Sequence, residues 1–183
     1  MPLSAVDAVP ALLVVDLQAA IVSMPLPEMP DVVARSARLA EAFRAQGHPV
    51  VLINVSAGPG GRSDANPQGR AIEMPAEALA FAPELGKAAD DVVVTKRTRG
   101  AFHGTALADE LAARGVTQVF VTGVATGSGV EETAREAFAH GLNVVTVTDA
   151  MADRDQEIHE FCLHKVFPKF TETATTDEVL ARL

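Results

Sequence analysis

Hydrophobic residues in this chain form short continuous runs instead of alternating with polar ones. Runs rich in valine and leucine occupy residues 11–15, 50–55, 92–95, 119–122 and 144–148. A strand that is apolar on both faces is typical of a parallel sheet covered by helices, whereas the strands of a half-exposed antiparallel sheet alternate. The pattern therefore predicts five buried parallel strands.

The segments between these runs carry apolar residues at helical spacing. Residues 32–46, 105–114 and 130–140 each predict a helix, and each is followed by a glycine that can end it. In 130–140, the residues predicted to share one helix face are Val130, Thr133, Ala134, Ala137 and Phe138. In 156–166, the residues predicted to form an apolar helix face are Ile158, Phe161, Cys162 and Val166. Strands alternating with helices predict an α/β fold of one domain, residues 1–183. We expect a doubly wound, Rossmann-like, mostly parallel sheet of five to six strands with helices on both faces.

One long segment, Ser56 to Pro75, does not fit this alternation and is rich in glycine and proline. A loop of this length in a compact domain is usually functional or mobile. The segment either covers a binding site or is a solvent-exposed loop.

Composition and charge exclude several classes of protein. With 48% hydrophobic and 21% charged residues, the 183-residue chain is typical of a globular domain. A net charge of −9 and the absence of Trp and Tyr argue against nucleic-acid binding. No basic leader precedes the first apolar run, and no run reaches the roughly 20 residues of a membrane helix. We expect a cytoplasmic protein that acts on a small molecule and binds neither nucleic acid nor membrane.

Chemistry-bearing residues follow three of the predicted strands. Asp16 ends the first, Lys96 follows the third, and the glycine-rich segment 123–129 follows the fourth. Ligands of open α/β sheets bind at the carboxyl ends of the strands. A carboxyl group there can act as general acid or base, because burial raises its pKa and a lysine lowers it. The alternatives are an aspartate that caps a turn and a solvated lysine.

The glycine-rich segment is a poor cofactor site. It resembles a dinucleotide-binding GxGxxG motif, but Glu132 replaces the last glycine, and both Glu131 and Glu132 would repel a phosphate. We therefore predict no cofactor. The backbone of Val124, Ala125 and Gly129 could instead stabilise an oxyanion or hold a carboxylate.

Three motifs together resemble the isochorismatase-like (cysteine hydrolase) superfamily over residues 11–183. They are Asp16 within 14–18, Lys96 before 101–105, and 122–126 leading to 133–137. The resemblance implies a six-stranded parallel sheet, homo-oligomers (dimers or larger), and hydrolysis of small amides, ureas or a vinyl ether. It also implies catalytic roles for Asp16 and Lys96, and a cis peptide near Val124–Ala125.

The sequence departs from the amidase branches of this superfamily at the nucleophile. Gly129 stands where they carry a cysteine, and glycine cannot form a thioester. Neighbouring Ser128 should point elsewhere, and Cys162, the single cysteine, is expected to be a core thiol. Isochorismatases proper resemble this chain in having glycine at that position. This resemblance implies that Asp16 protonates a vinyl-ether carbon, and that Lys96 stabilises the ionised carboxylate and the charge on the substrate.

Three functional hypotheses follow from these residues. The first is a metal-free hydrolase that uses Asp16 and Lys96 without a covalent intermediate. The second is a pseudoenzyme that keeps the pocket for binding. The third is an amidase-type protein disabled only at Gly129.

Further candidates could bind substrate near this pair. Gln18 could orient the Asp16 carboxylate, and Arg97 or Arg99 could bind a substrate carboxylate. The remaining candidates for substrate binding are Phe102, His103 and Ser128. The nicotinamidase branch has an Asp/His metal site after its second strand, but residues 54–57 here read Asn-Val-Ser-Ala. We therefore predict no bound metal.

Overall fold

The main sheet has six strands, all paired in parallel. The structure is a computed structural model that describes residues 1–58 and 60–183. Its strands are β1 (Pro10–Val15), β2 (Val50–Val55), β3 (Ala57–Gly58), β4 (Ile72–Glu73), β5 (Val92–Lys96), β6 (Gln118–Val124), β7 (Asn143–Ala152) and β8 (Glu172–Ala174). The main sheet has the order β5-β2-β1-β6-β7-β8. The strand order therefore reverses direction between β1 and β6, which is the switch point where doubly wound sheets bind ligands.

Helices cover both faces of this sheet. They are α1 (Ala19–Val22), α2 (Met29–Ala45), α3 (Leu107–Ala113), α4 (Glu131–Ala139), α5 (Gln156–Phe161) and α6 (Thr176–Leu180). Helices α2 and α6 pack on one face, and α3 and α4 pack on the other. In the described part of the chain, no helix is long and apolar enough to cross a membrane.

Alternate residues of each central strand enter two separate hydrophobic cores. In β1, Leu12 and Val14 pack under α2, whereas Leu13 and Val15 pack under α3 and α4. All four are 0–1% exposed. The prediction of a doubly wound parallel sheet is confirmed, and its physical basis is this burial of both strand faces.

Some element boundaries differ from the prediction. Helix α2 begins three residues early, because Pro30 suits the first helical turn. A single π-type turn, Thr126–Val130, precedes α4. Strand β8 has only three residues, too few for the apolar pattern to identify it.

The predicted apolar faces of two helices were partly wrong. Cys162 is buried, as expected, but Ile158 and Phe161 are 45% and 60% exposed. Phe138, which the spacing placed on the buried face of α4, is also exposed. In α4, the buried residues are the smaller Thr133, Ala134 and Ala137.

The segment 56–75 contains the antiparallel pair of β3 and β4. Between them, Asn66 braces the tip, accepting a hydrogen bond from the Arg70 N–H and donating to the Gly61 and Arg70 carbonyls. Backbone hydrogen bonds also join Ser63 to Asn66 in both directions. The segment is thus a hairpin with its own hydrogen bonds, and it lies beside the carboxyl edge of the sheet.

Candidate active site

Asp16 lies at the switch point, directly after β1. Its N–H donates to the Ile53 carbonyl at 2.9 Å, and its carbonyl accepts from Gln18 N–H at 2.9 Å. The backbone of Asp16 has a φ of 57°, in the left-handed region that Asp and Asn adopt more readily than other non-glycine residues. This sharp turn directs the carboxylate out of the strand and into the mouth of the sheet.

Lys96 reaches this carboxylate from the end of β5. Strand β2 separates β5 from β1, and the long lysine side chain spans that distance. Its Nζ lies 2.9 Å from Asp16 Oδ2 and also donates to the Arg99 carbonyl. Asp16 and Lys96 are 7% and 1% exposed. The structure therefore brings the two residues together as a buried ion pair.

Burial dominates the electrostatics of the pair. It raises the pKa of Asp16 to about 6 from 3.8, although the charge and hydrogen bond of Lys96 both lower it. Asp16 Oδ1 is buried and has no hydrogen-bond partner within residues 1–58 and 60–183. A carboxyl group with this pKa can both release and accept a proton near neutral pH.

Gly129 faces the pair from the π-type turn. A Cβ built on Gly129 would lie 3.0 Å from Asp16 Oδ2, 3.1 Å from Lys96 Nζ and 3.3 Å from the Val124 carbonyl oxygen. The peptide bond between Val124 and Ala125 is cis, at the place that the resemblance implied. A side chain at position 129 would thus start in direct contact with Asp16 and Lys96, and glycine leaves that space open.

Residues after β7 hold the turn that carries Gly129. Asp153 Oδ2 accepts from the Gly127 N–H at 2.8 Å, and His159 Nδ1 lies 2.8 Å from Thr126 Oγ1. Sequence reasoning missed both Asp153 and His159. The position of Asp153 directly after the end of a buried strand was a usable signal, the same one that identified Asp16.

Several N–H groups of this turn are used within the protein. The N–H groups of Ser128 and Val130 both donate to the Ala125 carbonyl, and that of Gly127 donates to Asp153. These three N–H groups are therefore engaged within the protein, and an oxyanion role for the backbone of Val124, Ala125 and Gly129 stays a prediction. The Val124 carbonyl oxygen would lie 3.3 Å from a Cβ built on Gly129.

A cavity of about 630 Å³ opens over the pair, a size suited to a small organic molecule. One part of its wall is apolar and is formed by Ile21, Met24, Leu26, Met29, Val55, Ala57, Ile72, Val124, Ala125 and Ala152. The charged part is formed by Asp16, Lys96, Arg62, Arg70, Arg99, Asp153 and Arg154. Because the 60–72 hairpin contributes to both parts, it covers one side of the cavity.

The predicted binding residues divide into two groups. Arg99 and Ser128 line the cavity, although Ser128 was expected to point elsewhere. The residues that the structure does not bring to the cavity are Gln18, Arg97, Phe102 and His103.

The four predicted binding residues outside the cavity wall have other contacts or are exposed. The buried Gln18 amide accepts from Val55 N–H and donates to the Val55 and Ala78 carbonyls, so it braces β1 against its neighbours and does not orient Asp16. Arg97 pairs with Glu73 on the surface. The buried Phe102 ring stacks on His140, and His103 is exposed.

Cys162 does not line the cavity either. Burial, and then the charges of Glu131 and Asp153, raise the pKa of its thiol, which disfavours the reactive thiolate. Within the described ranges, no three His, Cys, Asp or Glu side chains are grouped closely enough to hold a metal ion.

Sequence reasoning missed three arginines of the cavity wall. Arg62 and Arg70 lie on the hairpin, and Arg154 follows β7. Their spacing along the chain carries no motif. Only the folded hairpin brings residues 62 and 70 next to residues that follow β5 and β7.

Known proteins are similar to this chain along nearly its whole length. The Isochorismatase domain family matches residues 10–178. The isochorismatase family protein YwoC of Bacillus subtilis is 38% identical over 178 residues, which cover 94% of this chain and 93% of that protein. A maleamate amidohydrolase of Pseudomonas putida is 30% identical over 104 residues, which cover 57% of this chain and 49% of that protein.

A solved structure is similar in fold as well. An isochorismatase family protein from Burkholderia thailandensis superposes with a TM-score of 0.89 at 39% identity, covering 98% of this chain and 97% of that one. The family match runs from the first residue of β1 to beyond β8. It therefore includes all six strands of the main sheet.

Proposed function

The chain belongs to the isochorismatase family, and on that premise we propose that it hydrolyses a small molecule by acid–base catalysis, with Asp16 as the acid. The observation that supports this most strongly is the buried Asp16–Lys96 pair at the cavity floor, with its carboxyl pKa raised to about 6. Such a pKa suits proton transfer near neutral pH. The named amidohydrolase among the relatives also supports hydrolysis as the reaction type.

Lys96 has two roles in this proposal. Its ammonium keeps the pKa of Asp16 from rising further, so that the carboxyl group still releases its proton. Its hydrogen bond to the Arg99 carbonyl ties the pair to a wall of the cavity. Lys96 therefore adjusts both the acidity and the position of the acid.

Hydrolysis of a vinyl ether requires only an acid and water. Protonated Asp16 gives its proton to the terminal carbon of the C=C bond, which leaves an oxocarbenium ion at the ether-bearing carbon. Water adds to that carbon and returns a proton to the Asp16 carboxylate. The resulting hemiketal then breaks its C–O bond, giving a carbonyl compound and an alcohol. The open space at Gly129 is where we place the water.

Replacement of Asp16 by Asn tests the proposal. Asparagine tolerates the positive φ at this position, so the backbone turn should persist while the acid is lost. We expect hydrolysis of vinyl ethers, amides and ureas, followed by mass spectrometry, to fall at least about a thousandfold for any accepted substrate. Asp109→Asn, an exposed position on α3, is the matched control. Full activity of Asp16→Asn would refute the role of Asp16.

A second candidate function is that of an amidase disabled at one residue. The Cβ position built on Gly129 touches both members of the pair, which is where a nucleophile would have to start. Gly129→Cys should then form an acyl-enzyme with a small amide or ester, seen as a mass increase. A folded Gly129→Cys protein without acylation would count against this candidate.

The third candidate, a pseudoenzyme that only binds, makes the opposite prediction for the unmodified protein. It should bind a small ligand in the cavity and turn over none of the vinyl ethers, amides or ureas. Turnover that depends on Asp16 would exclude it.

A further inference from the structure

Two side chains from the segment after β7 hold the turn that carries Gly129. Asp153 Oδ2 accepts from the Gly127 N–H, and His159 Nδ1 lies within hydrogen-bond distance of Thr126 Oγ1, each at 2.8 Å. In the described part of the chain, these are the two side-chain hydrogen bonds that the turn forms with other segments. We call Asp153 and His159 the clamp.

The clamp is held by α5, and α5 packs on the turn. Asp153 Oδ1 accepts from the Asp155 N–H at 3.1 Å, and Asp155 caps α5 by accepting from two of its backbone N–H groups. His159 lies on α5, so the place of its ring follows that of the helix. A Cβ built on Gly127 would lie 2.2 Å from Ile158 Cγ2, which shows how closely the helix approaches the turn. The hydrogen bonds and this packing together attach the turn to α5.

The turn also forms a wall beside Asp16. A Cβ built on Gly129 would lie 3.0 Å from Asp16 Oδ2 and 3.1 Å from Lys96 Nζ, so the Gly129 backbone borders the space next to the pair. Asp16 is buried, and burial is the largest cause of its raised pKa. Because water stabilises an ionised carboxylate, a turn that moves away from Asp16 would lower this pKa. The position of Gly129 therefore affects the acidity of Asp16.

We propose that Asp153 and His159 are positioning residues for the acid, since they hold Gly129 at a fixed distance from Asp16 and so limit the water beside it. This inference rests on the proposed role of Asp16 in hydrolysis. Loss of either clamp contact weakens the attachment of the turn to α5. The remaining internal hydrogen bonds, to the Ala125 carbonyl, fix the shape of the turn and not its place. The turn then shifts, and the space over Asp16 admits more water.

Three pairs of variants isolate the hydrogen bonds of the clamp. Asp153→Asn and Asp153→Ala both remove the charge, but only alanine removes the acceptor for the Gly127 N–H. Thr126→Ser keeps the hydroxyl, whereas Thr126→Val removes it and keeps the shape of the buried side chain. His159→Asn places an amide where the ring has Nδ1, and His159→Leu has no polar atom. The last two pairs test one contact from its two ends, so either pair decides if a variant of the other does not fold in urea titrations.

The first readout is the pKa of Asp16, from carbon-13 NMR of labelled aspartate carboxyl groups. Besides Lys96, the charged residues that line the same cavity are Arg62, Arg70, Arg99, Asp153 and Arg154. Of these only Asp153 is changed, and its two variants are both neutral. Within each pair, the variant without the hydrogen bond should have a pKa lower by about one unit, moving from about 6 toward 3.8. Equal values within the Asp153 pair would overturn the role of Asp153, and equal values within the Thr126 and His159 pairs would overturn that of His159.

Turnover is the second readout. At pH 7 an acid whose pKa falls from about 6 by about one unit is protonated roughly tenfold less, so kcat should be about tenfold lower within each pair, with little change in KM. The pH above which activity is lost should also move down by about one unit, because the acid acts in its protonated form. A loss of packing alone would lower stability without moving this profile. Glu160→Gln, at an exposed position on α5, is the control and should change neither the pKa nor kcat.

The two readouts separate this inference from the proposed hydrolysis, because the pKa is measured without a substrate. Values of the pKa that differ within the pairs, together with turnover that survives Asp16→Asn, would keep the clamp and refute the acid. Turnover that depends on Asp16, with the pKa and kcat equal within every pair, would keep the acid and refute the clamp.

Discussion

Replacing Lys96 by methionine should raise the pKa of Asp16 above its value of about 6. Both contributions of Lys96, its charge and its hydrogen bond, lower that pKa, and only burial raises it. Methionine has a similar length and fills the same buried space without a charge. The variant therefore isolates the electrostatic contribution of the lysine.

The size of the shift follows from the 2.9 Å separation of Asp16 Oδ2 and Lys96 Nζ. At an effective dielectric constant of about 20, two unit charges at this distance attract by ~6 kcal/mol. Relaxation of protein and water reduces this, and a cation beside an aspartate lowers its pKa by about 1–3 units, or about 1.4–4 kcal/mol. We expect an upward shift of that size in the variant.

The same shift changes the free energy of unfolding. Because the pKa of Asp16 in the folded protein lies above 3.8, ionised Asp16 destabilises the fold, and this effect grows as the pH rises from 3.8 through about 6. In Lys96→Met the group stays protonated to higher pH. Below about pH 6, Asp16 ionisation should therefore contribute no difference in the free energy of unfolding between Lys96→Met and the wild type. Well above pH 6, it should make the variant less stable by about 1.4–4 kcal/mol.

Carbon-13 NMR of protein labelled at the aspartate carboxyl groups measures the pKa directly, and the signal missing from Asp16→Asn identifies Asp16. Urea unfolding at pH 5 and at pH 9 measures the difference in the free energy of unfolding between Lys96→Met and the wild type. Lys87→Met, at an exposed position, is the control. Titration of Asp16 near 3.8 in the wild type, or no upward shift in Lys96→Met, would refute the electrostatic account of the site.

Substitutions at Gly123 and Gly127 test how tightly the backbone beside the site is packed, and Gly115 serves as a comparison. Gly123→Ala should cost about 3 kcal/mol or more in urea unfolding, because φ is +113° and a Cβ would lie 2.0 Å from the Val15 carbonyl oxygen. Gly115→Ala, with a φ of +69° but open space around the Cβ, should cost only about 1–2 kcal/mol; equal losses would contradict the steric argument. Gly127→Ala should cost about 1 kcal/mol, since the Cβ would lie 2.2 Å from Cγ2 of the half-exposed Ile158, which can move. Adding Ile158→Ala should restore stability, and no recovery would show that another contact is responsible.

The fold could be predicted largely because its central strands are buried on both faces. Stretches such as 11–15 and 119–121 have no polar position, and this pattern is compatible with few architectures. It was harder to predict which side of each helix is buried. Ile158 and Phe161 have the spacing of a buried face but are exposed, because spacing shows which residues share a side and not what that side contacts.

The floor of the site could be predicted, but most of its wall could not. Asp16 and Lys96 follow strands whose carboxyl ends share one edge, so their proximity follows from the topology. Arg97 and Arg99 are equivalent in the sequence, two residues apart. In the structure Arg97 pairs with Glu73 and Arg99 lines the cavity. This difference depends on where β4 places Glu73, which no local pattern contains.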